Sequence, residues 1–181
     1  MDLLAMGQGT CAPAPGGTVA CYVIENQYID TVAVNGTNQI TGVTVSTPNK
    51  IVKYVPNTQE DKPFYNQKSA RAGTSNKITQ DALYVFAGLD NEKRNALQAV
   101  TSVDCGLTVF HVLDNGEIEV QGIEWNDVKN TWKFTRKPCV AEGDFDSNTS
   151  AGNQEVTVRF KSETAVYSSY TTMTEVAIAA L

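Results

Sequence analysis

The chain of 181 residues contains a single histidine, His111, and few basic residues. Lysine and arginine together number 14 against 20 aspartate and glutamate residues, and the formal net charge is −6. One histidine excludes every site that needs two imidazoles. The acidic balance argues against binding to a phosphate backbone, because such affinity comes from Lys and Arg side chains that release counterions.

The sequence also lacks the short motifs that mark common enzyme classes. It contains no G-x-S-x-G nucleophile turn, no phosphate-binding P-loop and no G-x-G-x-x-G dinucleotide motif. His111 stands between Phe110 and Val112 in a strand-like run, whereas catalytic groups favour loops, so we interpret it as a structural residue. We therefore expect no enzyme activity, no catalytic residue and no cofactor.

No pair of cysteines has the C-x-x-C spacing of a zinc ribbon or a redox dithiol. The four are Cys11, Cys21, Cys105 and Cys139. We expect four buried or half-buried reduced thiols, with two disulfides as the alternative in a secreted protein. The N-terminal residues show neither a basic segment nor a long apolar run, so we predict neither a signal peptide nor a transmembrane helix.

Leucine is scarce, with 8 residues against 20 valines and 20 threonines. Leucine usually fills helix cores, whereas β-branched side chains pack well on a pleated sheet. Short apolar runs such as Ile29–Val34 and Ile40–Val45 follow one another across brief turns, which is typical of antiparallel strands. We predict one domain over residues 1–181, mainly β, built as an antiparallel β-sandwich or half-barrel with one flanking α-helix.

One helix is predicted over Asn91–Thr101. Asp90 can cap its N-terminus, and Leu97 and Val100 fall on one apolar stripe together with Ala96. We expect Leu97 and Val100 to form the buried core of this helix against a sheet, since three turns are marginally stable alone.

A β-hairpin is predicted next, with strands at residues 107–113 and 117–121 around an Asp-Asn-Gly turn. In the returning strand Ile118 and Val120 alternate with Glu117, Glu119 and Gln121. We expect the two apolar residues to face the core and the three polar ones to face water or a partner. The chain is predicted to end in one further apolar strand, at residues 176–181.

Two segments do not fit a compact sheet. Residues 1–18 are small and polar and are predicted to be an N-terminal arm. Residues 56–77 are almost wholly polar, and this stretch is longer than an ordinary connection. We predict an extended inter-subunit loop there that becomes ordered on assembly, with Phe64, Tyr65 and Arg71 as its contact residues.

An acidic, Ser- and Gly-rich stretch is predicted to be a loop and contains part of a calcium-binding pattern. Asp144, Asp146 and Asn148 occupy positions 1, 3 and 5, and Glu155 occupies position 12. The glycine needed at position 6 is Thr149, and no helices are predicted beside the loop. We treat these residues as a weak calcium candidate and expect no metal.

Three patterns in this order resemble a known family. They are Ile40-Thr-Gly-Val-Thr-Val45, the helix Gly88-Leu-Asp-Asn-Glu-Lys-Arg-Asn-Ala-Leu97, and the hairpin Leu107-Thr-Val-Phe-His-Val-Leu-Asp-Asn-Gly-Glu-Ile-Glu-Val-Gln-Gly122. Over roughly residues 19–125 the chain is similar to the tail tube proteins of tailed bacteriophages, especially those of phages that infect Bacteroidetes-type hosts. The residues after Gly122 and the Pro138-Cys139 region depart from the family pattern.

The resemblance implies a virion structural protein, assembled in the host cytoplasm, that forms hexameric rings. The rings stack into a tube, contact other tail and neck proteins, and conduct DNA through a lumen without specific binding and without a membrane. Glu117, Glu119 and Gln121 are then candidates for the lumen face, where repeated carboxylates would repel phosphates.

Two other functions fit the sequence. A neck, ring or terminator protein of the same particle can share the fold. A carbohydrate-binding β-sandwich belongs to a different class, but it needs exposed aromatic residues. Trp125 and Trp132 are seven residues apart across a turn, and we expect them to anchor the core instead.

Overall fold

The computed structural model describes residues 17–37, 39–56, 63–72, 75–88, 90–126, 131–134, 137–147, 154–164 and 171–181. Within them the strands are β1 (Thr18–Glu25), β2 (Ile29–Val34), β3 (Ile40–Val45), β4 (Val52–Tyr54), β5 (Phe64–Ala72), β6 (Ser75–Ala87), β7 (Leu107–Leu113), β8 (Ile118–Gln121), β9 (Ile123–Asn126), β10 (Thr131–Phe134), β11 (Lys137–Asp146) and β12 (Glu155–Thr164). The helices are α1 (Asn91–Thr101) and α2 (Glu175–Ala179), and a 3₁₀ turn spans Asn26–Tyr28.

Eight strands form one antiparallel sheet that folds over on itself. We divide it into sheet I, in the order β4-β1-β7-β8, and sheet II, in the order β11-β12-β6-β5. The two parts join where Cys139 of β11 pairs with Leu107 of β7. The hairpins β2-β3 and β9-β10 are separate two-stranded sheets.

The space between sheets I and II is the main core, which we call the interlayer core. Its apolar part is built on three buried rings, with the ring centroid of Tyr54 6.1 Å from that of Phe86 and 6.5 Å from that of Phe160. Helix α1 closes one end of this core through Leu97 and Val100, both buried as predicted.

A second core lies on the opposite face of sheet I. The β2-β3 hairpin and the C-terminal segment 171–181 cover that face, and Ile178 and Leu181 are buried in it. The segment is also held by polar contacts, because Glu175 Oε1 accepts hydrogen bonds from Tyr22 Oη at 2.7 Å and from Lys53 Nζ at 2.8 Å.

The predicted class is confirmed, since the protein is mainly β, antiparallel and flanked by helix α1 at its predicted bounds. The terminal strand predicted at residues 176–181 is wrong, because Thr174 caps a short helix there whose alanines favour helical backbone. Of the predicted arm at residues 1–18, positions 1–16 lie outside the described residues, and Thr18 already belongs to β1.

The polar segment 56–77 is not an irregular connection in its described part. Strand β5 occupies most of it and pairs with β6 from Phe64–Leu83 to Ala72–Ser75. The acidic stretch predicted as a loop is also strand up to Asp146, as part of β11. The prediction of a loop is wrong for both segments, because strands with polar residues on the open face of a sheet have an amino-acid composition similar to that of loops. Among the described helices, none has the length and apolar character that crossing a membrane requires.

Candidate functional site

The three polar residues predicted to share one face of the returning strand lie in different environments. Glu117 is exposed in the turn before the strand, but Glu119 is only 7% exposed and Gln121 is completely buried. Strand β5 lies over Glu119, where Gln67 Nε2 donates a hydrogen bond to Glu119 Oε2 at 3.1 Å, and Gln121 contacts Gln80 of β6 and Ser162 of β12. The prediction that Glu119 and Gln121 face a lumen is therefore wrong, because sheet II covers the polar face of this strand.

His111 and Gln121 belong to a polar part of the interlayer core. His111 Nε2 donates to Gln121 Oε1 at 2.9 Å, because an amide oxygen can only accept. The other ring nitrogen, Nδ1, then accepts from the Tyr84 hydroxyl at 2.6 Å. Burial lowers the pKa of His111 to about 3, so its imidazole is neutral at physiological pH.

Neighbouring side chains complete this polar cluster. Gln121 Nε2 donates to Ser162 Oγ at 3.0 Å, and Ser162 Oγ donates to Gln80 Oε1 at 2.6 Å. The Tyr65 ring stacks on His111 with centroids 4.3 Å apart, so Tyr65 is packed within its own chain. Since both nitrogens of His111 are engaged and the ring has no solvent exposure, the cluster supports a structural role, as the sequence predicted.

The outer face of sheet II is an open surface that carries many charged residues. Strand register brings alternate residues of all four strands to this face. Its described charged residues are the acids Asp81, Glu142, Asp144, Asp146, Glu155 and Glu163 and the bases Lys68, Lys77, Arg159 and Lys161. Acids therefore outnumber bases on this face.

Three of the four bases are paired with acids of a neighbouring strand. Arg159 Nε donates to Asp81 Oδ1 at 2.7 Å, and a second bond joins its Nη2 to the other carboxylate oxygen. Lys161 pairs with Glu142, and Lys77 Nζ lies 2.6 Å from Glu163. The Asp81 carboxylate raises the pKa of Arg159 further above its usual value.

A shallow groove of about 420 Å³ runs along the same face. Arg159 and Lys161 line it together with Asp81, Val140 and Glu163. Val140 is 45% exposed, so the groove has one apolar wall between charged residues. The two bases that line it could attract an anion, but carboxylates already pair with both of them.

The edges of sheet II lie at β5 and at β11, which joins β7 through the single described pair Cys139–Leu107. On β5, Phe64 is half-buried on the outer face opposite Leu83, while Arg71 is exposed near the end of the β5-β6 hairpin. In the described part of the chain, β5 pairs with β6 alone. An edge of this kind offers backbone donors and acceptors to another strand. Phe64 and Arg71 thus remain accessible for assembly.

Helix α1 lies on the inner side of β11. Asp90 Oδ1 accepts from Lys93 N at 2.8 Å and caps the helix as predicted. Leu97 packs directly on Gly143, where a Cβ atom would come within 1.9 Å of Leu97 Cδ1. The Arg94 guanidinium lies 5.2 Å from the centroid of the Phe145 ring, and Phe145 is half exposed.

In its described part, the calcium candidate is strand rather than loop. Asp144 and Asp146 lie on β11, and Asp146 is directly opposite Glu155 on β12, while Asn148 lies outside the described residues. An EF-type site needs a compact turn, which extended strands cannot supply. Among the described residues, no group of three or more acidic, histidine or cysteine side chains is arranged to hold a metal.

The described cysteines are free thiols. Cys21 and Cys139 are buried and Cys105 is exposed, whereas Cys11 lies outside the described residues. Burial raises the pKa of Cys21 and of Cys139, which makes both thiols unreactive.

Trp132 is half-buried and packs at the edge of the second core, in line with the expectation that it anchors the core.

Sequence reasoning missed the paired charges on sheet II. The signal was present, because Glu155, Arg159 and Lys161 alternate with buried Val158 and other apolar residues along β12. Their partners, however, come from strands that are far away in sequence.

Comparisons with known proteins add no identification, since no protein-family model matches the chain and no curated protein or solved structure is significantly similar to it.

Proposed function

We propose that the protein is a virion structural protein, the tail tube subunit of a tailed bacteriophage, which forms stacked hexameric rings around a DNA-conducting lumen. The sequence resemblance motivates the proposal. The observation that carries it is the shape of sheet II, which combines four strands, two lateral edges and one open charged face. A sheet of this kind can continue into the sheet of a neighbouring copy.

The dimensions of sheet II support a ring. Six copies of a four-stranded sheet would close into a barrel of about 24 strands, with roughly 45–50 Å between opposite backbones at the usual spacing and tilt. This interior is wider than a DNA duplex. In the closed barrel, β5 of one subunit would lie beside β11 of the next, and neither edge of sheet II would remain exposed.

The lumen in this proposal is lined by the outer face of sheet II rather than by β8. The face is open in the subunit and has an excess of carboxylates, of which Asp144 is one example. Negative potential repels phosphates, so DNA can slide past the wall without adhering. The protein would then belong to the phage tail, with other tail and neck proteins as its partners.

Contacts between rings are assigned to the end of the β5-β6 hairpin. Arg71 is exposed there, in a chain whose net charge is negative, and it can pair with carboxylates of the adjacent ring. Phe64 lies on the β5 edge and can contribute apolar contact area to a neighbour.

The test is the oligomeric state of the purified protein, measured by native mass spectrometry and electron microscopy. We expect sixfold rings and tubes. The variant Arg71→Glu should retain rings but lose stacking, whereas Lys50→Glu, which changes the charge equally beside Tyr28 on another surface, should still form tubes.

Other outcomes would replace the proposal. Rings that never stack, even at high protein concentration, would favour a neck, ring or terminator component of the tail. A stable monomer with saturable binding to a sugar would contradict the tube and indicate a carbohydrate-binding module.

A further inference from the structure

The bases in the middle of sheet II are surrounded by acids on both sides. Arg159 is bonded to Asp81 of β6 and lies directly opposite Glu142 of β11. Lys161 is bonded to Glu142 and lies directly opposite Asp81. Two bases and two acids thus form one cluster across three strands, with diagonal ion pairs.

This arrangement blocks the groups that would bind a phosphate. The guanidinium of Arg159 presents its donors as a fork that suits carboxylate and phosphate equally, and Asp81 occupies that fork with both oxygens. Lys77, further along β6, forms a single ion pair with Glu163. An unpaired Arg or Lys in the 420 Å³ groove would instead be free to contact DNA.

We propose that the outer face of sheet II is a masked polyanion-binding surface, in which cross-strand carboxylates hold Arg159, Lys161 and Lys77 away from the phosphates of passing DNA. The inference rests on the proposed function, since DNA is the polyanion that a tube lumen meets. Excess negative charge alone gives repulsion at a distance. The paired carboxylates add a local effect, because they engage three of the four described bases of this face where DNA touches the wall.

The test uses the purified full-length chain and a fluorescent DNA duplex of about 20 base pairs. The triple variant Asp81→Asn, Glu142→Gln, Glu163→Gln removes the three masking carboxylates. We expect it to bind the duplex at least tenfold more tightly at 50 mM salt than the unmodified chain. The logarithm of the binding constant should fall with the logarithm of salt concentration with a slope of about −2.7, as for three phosphate contacts.

The matched control is Asp30→Asn, Glu92→Gln, Asp104→Asn. It changes the net charge by the same amount, but these exposed carboxylates lie outside sheet II and form no ion pair with described residues. We expect its affinity to rise less than threefold. The single variant Asp81→Asn provides a second measurement in a chain that is minimally changed, with an expected gain of about threefold.

Equal affinities of the masking variant and the control would overturn the inference, because net charge alone would then explain the gain. Tight binding by the unmodified chain would overturn it as well. Tubes that form normally alongside either result would leave the proposed function standing. A chain that forms no rings, but gains affinity only in the masking variant, would reject the tube and support the masked surface.

Discussion

The interlayer core has two parts that differ in chemistry although the same two sheets enclose them. One part is apolar, where Tyr54, Phe86 and Phe160 pack ring against ring. The other is polar, where His111 and Gln121 are equally buried and hydrogen-bonded. Apolar packing depends on shape, whereas buried polar groups depend on every partner being present. The two parts should therefore respond differently to substitution.

The largest effect is expected in the apolar part, where α1 meets β11. Leu97→Ala should lower the free energy of unfolding by about 2–5 kcal/mol, because it removes a buried side chain and leaves a cavity. Gly143→Ala should also destabilise the protein, since the new Cβ would overlap Leu97 Cδ1. Urea denaturation measures both losses.

The double variant Leu97→Ala, Gly143→Ala is the control for this contact. The methyl group added at position 143 then occupies part of the space that the leucine side chain vacates, so the two losses should not add. An additive result would show that α1 packs on β11 differently from the geometry described.

Substitutions in the polar part should destabilise the fold by leaving buried polar groups unpaired rather than by creating a cavity. Gln121→Met keeps the volume but removes the acceptor of His111 Nε2 and a donor to the backbone oxygen of Gln80. We expect a loss of about 3 kcal/mol for the two groups, measured by urea denaturation. The double variant His111→Phe, Gln121→Met should lose less unfolding free energy than the sum of the two single losses, because it no longer contains the unpaired His111 Nε2. A loss equal to the sum would contradict the His111–Gln121 hydrogen bond.

The polar part should also make stability depend on pH. Burial lowers the pKa of His111 to about 3, against 6.5 in the unfolded chain. Below pH 6.5 the unfolded state therefore binds a proton at His111 that the folded state does not bind. The free energy of unfolding falls as the pH is lowered towards 3. Between pH 7 and 5 the loss should be about 2 kcal/mol.

The comparison variant for this pH effect is His111→Gln, which has no titratable group at that position. Its free energy of unfolding should be nearly constant from pH 7 to pH 5, where few carboxylates titrate. If the variant and the unmodified chain lose stability in parallel over this range, His111 is not the group responsible.

These two parts also show what the sequence could and could not predict. Helix α1 and the β7-β8 hairpin were predictable because a cap, a turn and an apolar stripe lie within a few residues of one another. The burial of Glu119 and Gln121 was not, because it depends on sheet II, whose residues Gln67, Gln80 and Ser162 contact them from positions distant in sequence. Alternation identifies the two faces of a strand but not what covers each face.

The same limit applies to the candidate site. The alternation of charged and apolar residues along β12 is visible in the sequence, so one charged face could be predicted for that strand. Which carboxylate meets which base depends on the register of β12 with β6 and β11. That register is a property of the folded sheet, and a single sequence does not reveal it.

The smallest effect is expected on the outer face of sheet II, outside both parts of the core. Asp81→Asn removes a doubly bonded partner of Arg159, yet both side chains contact water. Exposed ion pairs contribute about 0–1 kcal/mol, so urea denaturation should detect a loss no larger than that. A larger loss would mean that the pair holds the sheet together and that its charges cannot vary without damage to the fold. A small loss, combined with a gain in DNA affinity, would mean that these carboxylates serve the surface rather than the fold. The charge pattern of this face could then change with function while the interlayer core stays the same.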